Sequence, residues 1–218
     1  MEKIVKVYDV KEERFNVYSH ALGIVFSVVA FFFLLKRAFE MGDAYHIVGA
    51  FVYGTTLIIL YMASTFYHAS KDPVRRKRLK VFDHASIYGL IAGTYTPYLL
   101  ITLHGSWGWT LLAVIWGVAV AGIIFKLFFV GKFKLVSTVA YVVMGMIILI
   151  AIKPLMNQLP TGGLTWLWLG GAFYIVGAVF YVLDKLPYNH AVFHIWVLMG
   201  SMAHFISVYF YVLPQSVQ

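Results

Sequence analysis

Residues 46–68 read HIVGAFVYGTTLIILYMASTFYH, a run of 23 residues without Asp, Glu, Lys or Arg. Such a run predicts a transmembrane helix, because as an α-helix it is about 34 Å long and the hydrocarbon core of a bilayer is roughly 30 Å thick. Its last turns carry Ser64 and His68, four positions apart. The segment therefore indicates a membrane protein with polar groups at one end of a span.

Six further apolar stretches of similar length accompany this segment and predict six more spans. The seven predicted spans are residues 16–35, 46–68, 82–103, 107–130, 133–152, 164–183 and 190–213. The connectors between them are too short to hold a soluble domain. Residues 1–218 are therefore predicted to form a single seven-helix transmembrane domain, an all-α integral membrane fold, with residues 1–15 as a cytosolic N-terminal segment.

The composition supports the same fold class. Hydrophobic residues make up 61% of the chain and charged residues 12%, with a mean hydropathy of +0.82. In a soluble domain about a quarter of the residues are charged. The chain contains no cysteine, which excludes disulfides and thiolate metal sites, so a metal ion bound here needs nitrogen and oxygen ligands.

The basic residues predict the orientation in the membrane. If the N-terminus is cytosolic, 14 of the 17 Lys and Arg residues fall on the cytosolic side, and only Lys36, Arg37 and Lys153 fall outside. This distribution predicts a cytosolic N-terminus and an external C-terminus. The basic run at 71–80 is then a cytosolic anchor beside lipid headgroups, so the net charge of +8 does not indicate nucleic-acid binding.

The polar residues of the predicted spans gather at one membrane level. With the orientation above, they lie at the cytosolic ends of helices that enter the membrane in both directions. They are Glu13, Asn16, His20, Ser64, His68, Asp83, His84, His190 and His194. Ionisable groups within a membrane are costly and mark functional sites. A cluster at a single level therefore predicts one site assembled from several helices.

Three histidines in this cluster are predicted metal ligands. His190 and His194 are four residues apart, so their side chains lie on one face of a helix with Cβ atoms about 6 Å apart. His68 can supply a third nitrogen from another span. Three protein ligands and one open position are typical of catalytic zinc. We therefore expect zinc (Zn2+), while imidazole ligands also suit copper, iron and nickel.

A neighbouring acid and a hydroxyl are the predicted catalytic groups. A metal-bound water needs a base, and Ala191 occupies the position that holds the glutamate base of an H-E-x-x-H motif. Asp83 is the predicted base, with Glu13 as the alternative. Ser64 is one turn before His68 and is predicted to orient the water or to donate a hydrogen bond to a developing oxyanion.

Four more polar residues are predicted to support the ligands. Glu13, Asn16 and His20 have the spacing of one helical stripe, and we expect them to orient the ligands or to contact a lipid headgroup. His84 follows Asp83 but projects about 100° away from it on a helix. It therefore has either such a supporting role or an interfacial one.

These residues, in this order, resemble the motifs of the hemolysin III family and of the related progestin and adipoQ receptors. The matching elements are Glu13-x-x-Asn16-x-x-x-His20, Ser64-x-x-x-His68, Asp83 and His190-x-x-x-His194, and the resemblance extends from Glu13 to Val212. It implies seven spans, a cytosolic N-terminus and zinc near the cytosolic face, held by the three histidines beside Asp83. The chain looks like the short bacterial form, which implies a location in the bacterial cell (inner) membrane.

Three functions are open at this point. The first is a zinc-dependent hydrolase of lipid amides or esters, since the wider superfamily is similar to alkaline ceramidases. The second is a zinc-stabilised receptor or membrane-homeostasis sensor without catalysis, and the family name also implies cytolysis. The third is a channel, which is disfavoured because few polar residues besides His204 continue across the membrane. Membrane lipids are the predicted partners, as substrate or ligand, and the pattern assigns no oligomeric state.

Overall fold

The computed structural model describes residues 8–183 and 185–217, and the regular secondary structure of these residues is helical throughout. The α-helices are α1 (Val10–Met41), α2 (Ala44–Ala69), α3 (Pro73–Pro97), α4 (Ser106–Phe129), α5 (Lys134–Met146), α6 (Ile152–Gln158), α7 (Thr161–Val182) and α8 (Asn189–Ser207). Three short segments continue or join them: π-helical turns at Tyr98–Thr102 and Val208–Val212, and a 3-10 turn at Ile147–Ala151 between α5 and α6.

Six helical segments are long and apolar enough to cross a membrane. They are Val10–Met41, Ala44–Ala69, Ser106–Phe129, Lys134–Gln158, Thr161–Val182 and Asn189–Val212. The segment formed by α3 is not among them, and its first turns hold the basic residues at 75–80. The predicted all-α membrane fold is confirmed, while the seventh span and the orientation of the termini stay predictions.

Aspartate caps begin the first three helices. The side chains of Asp9, Asp43 and Asp72 accept hydrogen bonds from backbone N–H groups in the first turns of α1, α2 and α3, and Pro73 fills the start of α3. α3 therefore begins well before the apolar segment at 82–103. The charged first turns of this helix extend beyond the predicted span.

The helices pack in an order that brings the two ends of the chain together. α1 packs against α2 and α8, α2 against α3, α3 against α4, and α7 against α8. The outward surface is apolar, with side chains such as Phe32, Phe128 and Ile150 more than 60% exposed. An apolar surface of this kind suits contact with lipid tails. The polar side chains are left to the interior, where α1, α2 and α8 meet.

Ser201 on α8 holds three tyrosines in this interior. Its hydroxyl lies 2.7 Å from the Tyr61 hydroxyl and 3.0 Å from that of Tyr174, and its carbonyl accepts a hydrogen bond from Tyr53 at 3.4 Å. Ser201 is fully buried. These bonds join α2, α7 and α8 and satisfy hydroxyl groups that hydrocarbon cannot satisfy.

α4 approaches the end of α3 closely. Pro97 ends α3, and the chain continues as the π-helical turn Tyr98–Thr102. A β-carbon placed on Gly108, in the first turn of α4, would overlap the carbonyl oxygens of Leu99 and Leu103. Because these obstacles are backbone atoms, they cannot move aside as a flexible side chain would, so this position requires glycine.

The substitution Gly108→Ala should destabilise the protein by about 1–3 kcal/mol, because the added methyl group forces α4 away from the π-helical turn. Gly117→Ala in the same helix is the matched control, since a β-carbon there meets nothing within 4 Å. This control should be neutral or stabilising by up to about 1 kcal/mol. The measurement is the thermal unfolding midpoint in detergent, and equal midpoints for the two variants would contradict the close approach.

Candidate metal centre

Three histidine side chains converge in the interior where α2 and α8 meet. His190 Nε2 lies 3.1 Å from His68 Nε2 and 3.1 Å from His194 Nε2. All three residues are buried, and one nitrogen of each lies within 4.8 Å of the nitrogens of the other two. The three predicted ligands therefore form a group that can hold a metal ion.

Local structure explains how two of these rings reach the same point. Tyr188 adopts a left-handed backbone conformation with φ of 55°, and α8 begins at the next residue. Asn189 then donates a hydrogen bond to the Phe180 carbonyl at 3.3 Å, which joins the start of α8 to α7. His190 and His194 follow on successive turns and share the face that is directed toward α2.

The outer nitrogens of two ligand histidines are held by residues of α1. Glu13 Oε2 lies 2.9 Å from His68 Nδ1, and Ser19 Oγ lies 3.2 Å from His194 Nδ1. Since the Ser19 hydroxyl also donates to the Asn16 carbonyl at 3.1 Å, it is left to accept from His194. Both histidines then carry a proton on Nδ1 and direct the lone pair of Nε2 toward the centre, as metal-binding histidines do.

Arg76 lies in the basic run that is predicted to be a cytosolic anchor, but its side chain contacts the residues around the three histidines. Its guanidinium pairs with Glu13 and also donates to the carbonyl of Ser70 at 3.1 Å. It lies 4.8 Å from the centre of the Tyr67 ring. Glu13 is therefore placed between a cation and a ligand histidine. The sequence holds no sign of this role, because Arg76 is one of several basic residues in a row.

The predicted supporting residues of α1 differ in how they contact the site. Asn16 donates a hydrogen bond to Glu13 Oε2 at 3.4 Å. The His20 ring stacks on the His194 ring, with 3.5 Å between centroids and 9° between planes. Neither His20 nitrogen has a hydrogen-bond partner among the described residues. His20 therefore contacts the site through its ring face.

Tyr8 is a further neighbour that the sequence did not predict. Its ring stacks on the His190 ring at 4.9 Å with an interplanar angle of 26°. Tyr8 precedes α1 and lies outside every predicted span, so neither its spacing nor its hydropathy marked it.

The predicted catalytic groups lie beside the three histidines and not among them. Ser64, Asp83 and His84 line the same cavity as His190 and His194. Among the residues that the structure describes, the group able to hold a metal comprises the histidines alone. Asp83 Oδ2 is 4.0 Å from His84 Nε2. Asp83 therefore lines the same cavity as two of the three histidines without belonging to the group that can hold a metal.

The cavity has a volume of about 380 Å³ and is mainly apolar. It extends from the histidines between α3, α5, α7 and α8, past Leu167 and Val197, to Trp168 and His204. His204 is ten residues beyond His194 on α8, or about 15 Å along the helix. The space therefore suits an alkyl chain whose polar end lies at the histidines.

The chain matches one family model, described as haemolysin-III related, over residues 8–205. It is similar to "Hemolysin-3" of Bacillus cereus, with 48% identity over 94% of each chain, and to the "Hemolysin-3 homolog" of Bacillus subtilis (strain 168), with 43% identity over 94% of this chain and 96% of the relative. It is also similar to the human "Monocyte to macrophage differentiation factor", with 29% identity over 92% of this chain and 84% of the relative. All the site residues above fall within the matched region.

Purified protein should bind about one metal ion per chain, because three converging imidazoles form a single site. His68→Ala, His190→Ala and His194→Ala should each remove most of this metal. His104→Ala is the matched control, since His104 bonds instead to the Leu100 carbonyl at 3.0 Å. Elemental analysis by mass spectrometry measures the ratio. Full metal content in all three ligand variants would exclude this site.

Loss of the carboxylate beside His68 should weaken the metal site without removing it. Glu13→Ala is expected to lower metal affinity about 10- to 100-fold, because the ligand ring loses the group that orients it. Glu40→Ala on the same helix is the control, since Glu40 pairs only with Arg37 among the described residues, at 3.5 Å, far from the histidines. Titration against a competing chelator measures both constants, and identical affinities would contradict the assignment.

Proposed function

The chain belongs to the haemolysin-III-related family and is an integral membrane protein of the bacterial cell membrane; from that premise we propose that it is a zinc-dependent hydrolase of lipid amides or esters. One observation carries the proposal. Two histidines of the three-histidine group, His190 and His194, line an apolar cavity that Asp83 and Ser64 also line. Hydrolysis of a lipid amide or ester needs a metal ion, an acidic side chain and an apolar space that can hold an acyl chain.

The donor set of the centre fits zinc. The Nδ1 atoms of His68 and His194 are engaged by Glu13 and Ser19, so their Nε2 lone pairs face inward. A single ring proton cannot bridge all three inner nitrogens, whereas one cation can bind all three. Three imidazoles without a thiolate, with a fourth position available for water, are typical of catalytic zinc sites.

His68, His190 and His194 would hold the zinc ion, which would supply a bound water with its pKa lowered to about 7 and a positive charge to polarise a carbonyl group. The remaining steps fall to residues of this chain. Asp83 accepts the proton of the attacking water and later delivers it to the leaving amine or alcohol. Ser64 donates a hydrogen bond to the carbonyl oxygen as negative charge develops on it. The apolar walls of the cavity hold the acyl chain and exclude bulk water.

The proposed position of the reaction is the cytosolic side of the membrane. The site lies at the beginning of α1 and α8 and at the end of α2. With seven spans and a cytosolic N-terminus, as the basic residues predict, all three of these helix ends face the cytosol. The substrate then enters from the inner leaflet, with its chain already in the apolar phase.

A second candidate is a lipid receptor or membrane sensor in which zinc is structural. The contacts of Glu13 favour it, because this one carboxylate joins α1 to His68 on α2 and to Arg76 on α3. A centre that binds several helices together can stabilise a fold without reacting. One relative, the "Adiponectin receptor protein" of Drosophila melanogaster, is named as a receptor and is 26% identical over 91% of this chain and 50% of the relative. The two candidates differ in what they require of Asp83.

Asp83→Asn should retain the metal and the fold but lower the rate of hydrolysis about 100-fold or more, because the amide cannot accept a proton. Asp72→Asn is the matched control on the same helix, since Asn caps a helix as well as Asp does. Zinc-loaded protein in liposomes is supplied with ceramide, an N-acylethanolamine and a lysophospholipid, and the released fatty acid is measured by mass spectrometry. A zinc-bound wild-type protein that releases no fatty acid from any of them would favour the sensor.

A further inference from the structure

A second cavity adjoins the metal centre and is strongly basic. It has a volume of about 180 Å³ and is lined by four lysines, which are Lys80, Lys126, Lys132 and Lys134. None of its lining residues is an aspartate or glutamate. Tyrosines and an asparagine complete a polar wall. Four cations around one small space create a positive potential that attracts anions.

The turn between α4 and α5 places two of these lysines. Gly131 and Phe133 both adopt left-handed backbone conformations, with φ of 79° and 54°. These two conformations reverse the direction of the chain within a few residues, so Lys132 and Lys134 line the same cavity. The Lys134 ammonium also lies 4.6 Å from the centre of the Tyr181 ring. Lys134 therefore contacts a residue, Tyr181, that also lines the apolar cavity.

Lys126 is a buried lysine whose charge has to be compensated inside the protein. It is 1% exposed, and its Nζ donates a hydrogen bond to Ser137 Oγ at 2.5 Å. The Phe125 and Tyr141 rings are about 6 Å away. No carboxylate in the described ranges lies within ion-pair distance of this ammonium. A buried ammonium is costly unless an anion compensates its charge, and a neutral hydroxyl does so only in part.

The basic and apolar cavities meet beside the metal centre. His84, Tyr181 and His190 line both of them. A molecule that extends through both places its apolar chain on one side of the histidines and an anionic group on the other. The atoms between these two parts then lie at the metal position, where an amide or ester carbonyl has to be for hydrolysis.

We infer that the basic cavity, which we call the lysine pocket, binds the phosphate of an acidic lipid headgroup. This inference rests on the proposed function and narrows it, because it makes the substrates acyl lipids that carry a phosphate close to the cleaved bond. Lysines bind phosphate as point charges with charge-assisted hydrogen bonds. An uncharged headgroup cannot compensate Lys126, and a zwitterionic headgroup brings its own cation along with the phosphate.

The test measures binding without hydrolysis. The probes are short-chain ether-linked phosphatidate and ether-linked phosphatidylcholine of the same chain length, which have no ester or amide to cleave, and inorganic phosphate as competitor. Wild-type protein in detergent should bind the phosphatidate at least about tenfold more tightly than the phosphatidylcholine. Lys126→Gln and Lys132→Gln should each weaken this binding about tenfold or more, as expected when a charge-assisted contact is lost.

Lys77→Gln is the matched control, because Lys77 is exposed on α3 and does not line the pocket. It should leave the phosphatidate affinity unchanged. Lys132 is exposed, so its variant should fold even if replacement of buried Lys126 disturbs the packing of α4 against α5. Metal content and thermal unfolding are recorded for each variant.

Three results would overturn the lysine pocket. The protein could bind the two lipids with equal affinity, or Lys77→Gln and Lys132→Gln could weaken phosphatidate binding equally. Inorganic phosphate could also displace phosphatidate when the two are present at the same concentration. The last result would assign the pocket to free anions. These outcomes are separable from a failure of the hydrolase proposal. If phosphatidate binding depends on the lysines but no ester or amide lipid releases fatty acid, only the hydrolase proposal is rejected. If neutral lipids are cleaved at the same rate by wild-type protein and Lys132→Gln, only the lysine pocket is rejected.

Discussion

The carboxylate of Glu13 is the contact on which the arrangement of the centre depends. It accepts from His68 and pairs with Arg76, so a single side chain of α1 joins the end of α2 to the beginning of α3. A polar group in a hydrocarbon environment has to find its partners within the protein, and this requirement fixes the relative positions of helices that otherwise pack through apolar contacts. The orientation of the His68 ring, and with it the metal position, follows from this pairing.

Much of the fold and the core of the site could be predicted from sequence. Long uncharged runs predicted the apolar helices, and the four-residue spacing of His190 and His194 predicted that both rings reach one point. The contacts of Ser19, Arg76 and Tyr8 could not be predicted. Ser19 is 175 residues from His194 and Arg76 is 63 residues from Glu13. Such contacts depend on how helices rotate against one another, and periodicity within one helix carries no information on that rotation.

The interior divides by polarity along the length of the helices. The tyrosine cluster around Ser201 and most of the apolar cavity occupy the middle of the bundle, the histidines lie at one end of them, and the lysine pocket follows at the end of α4 and the beginning of α5 and α8. A bilayer has the same sequence of environments, from tails through the ester region to charged headgroups. If the protein binds a lipid as proposed, this match means that the lipid needs little reorientation as it passes from the membrane into the cavity.

The far end of the apolar cavity has its own consequence. Leu167 and Trp168 line it on α7 and Val197 and His204 on α8, and His204 lies about 15 Å along α8 from the ligand histidine His194. Trp168 is 42% exposed, so this end of the cavity borders the outward surface, and an apolar chain bound as proposed would fill the space between the histidines and His204. The depth of the cavity would thereby set how much of a bound chain the protein covers, whatever headgroup that chain carries.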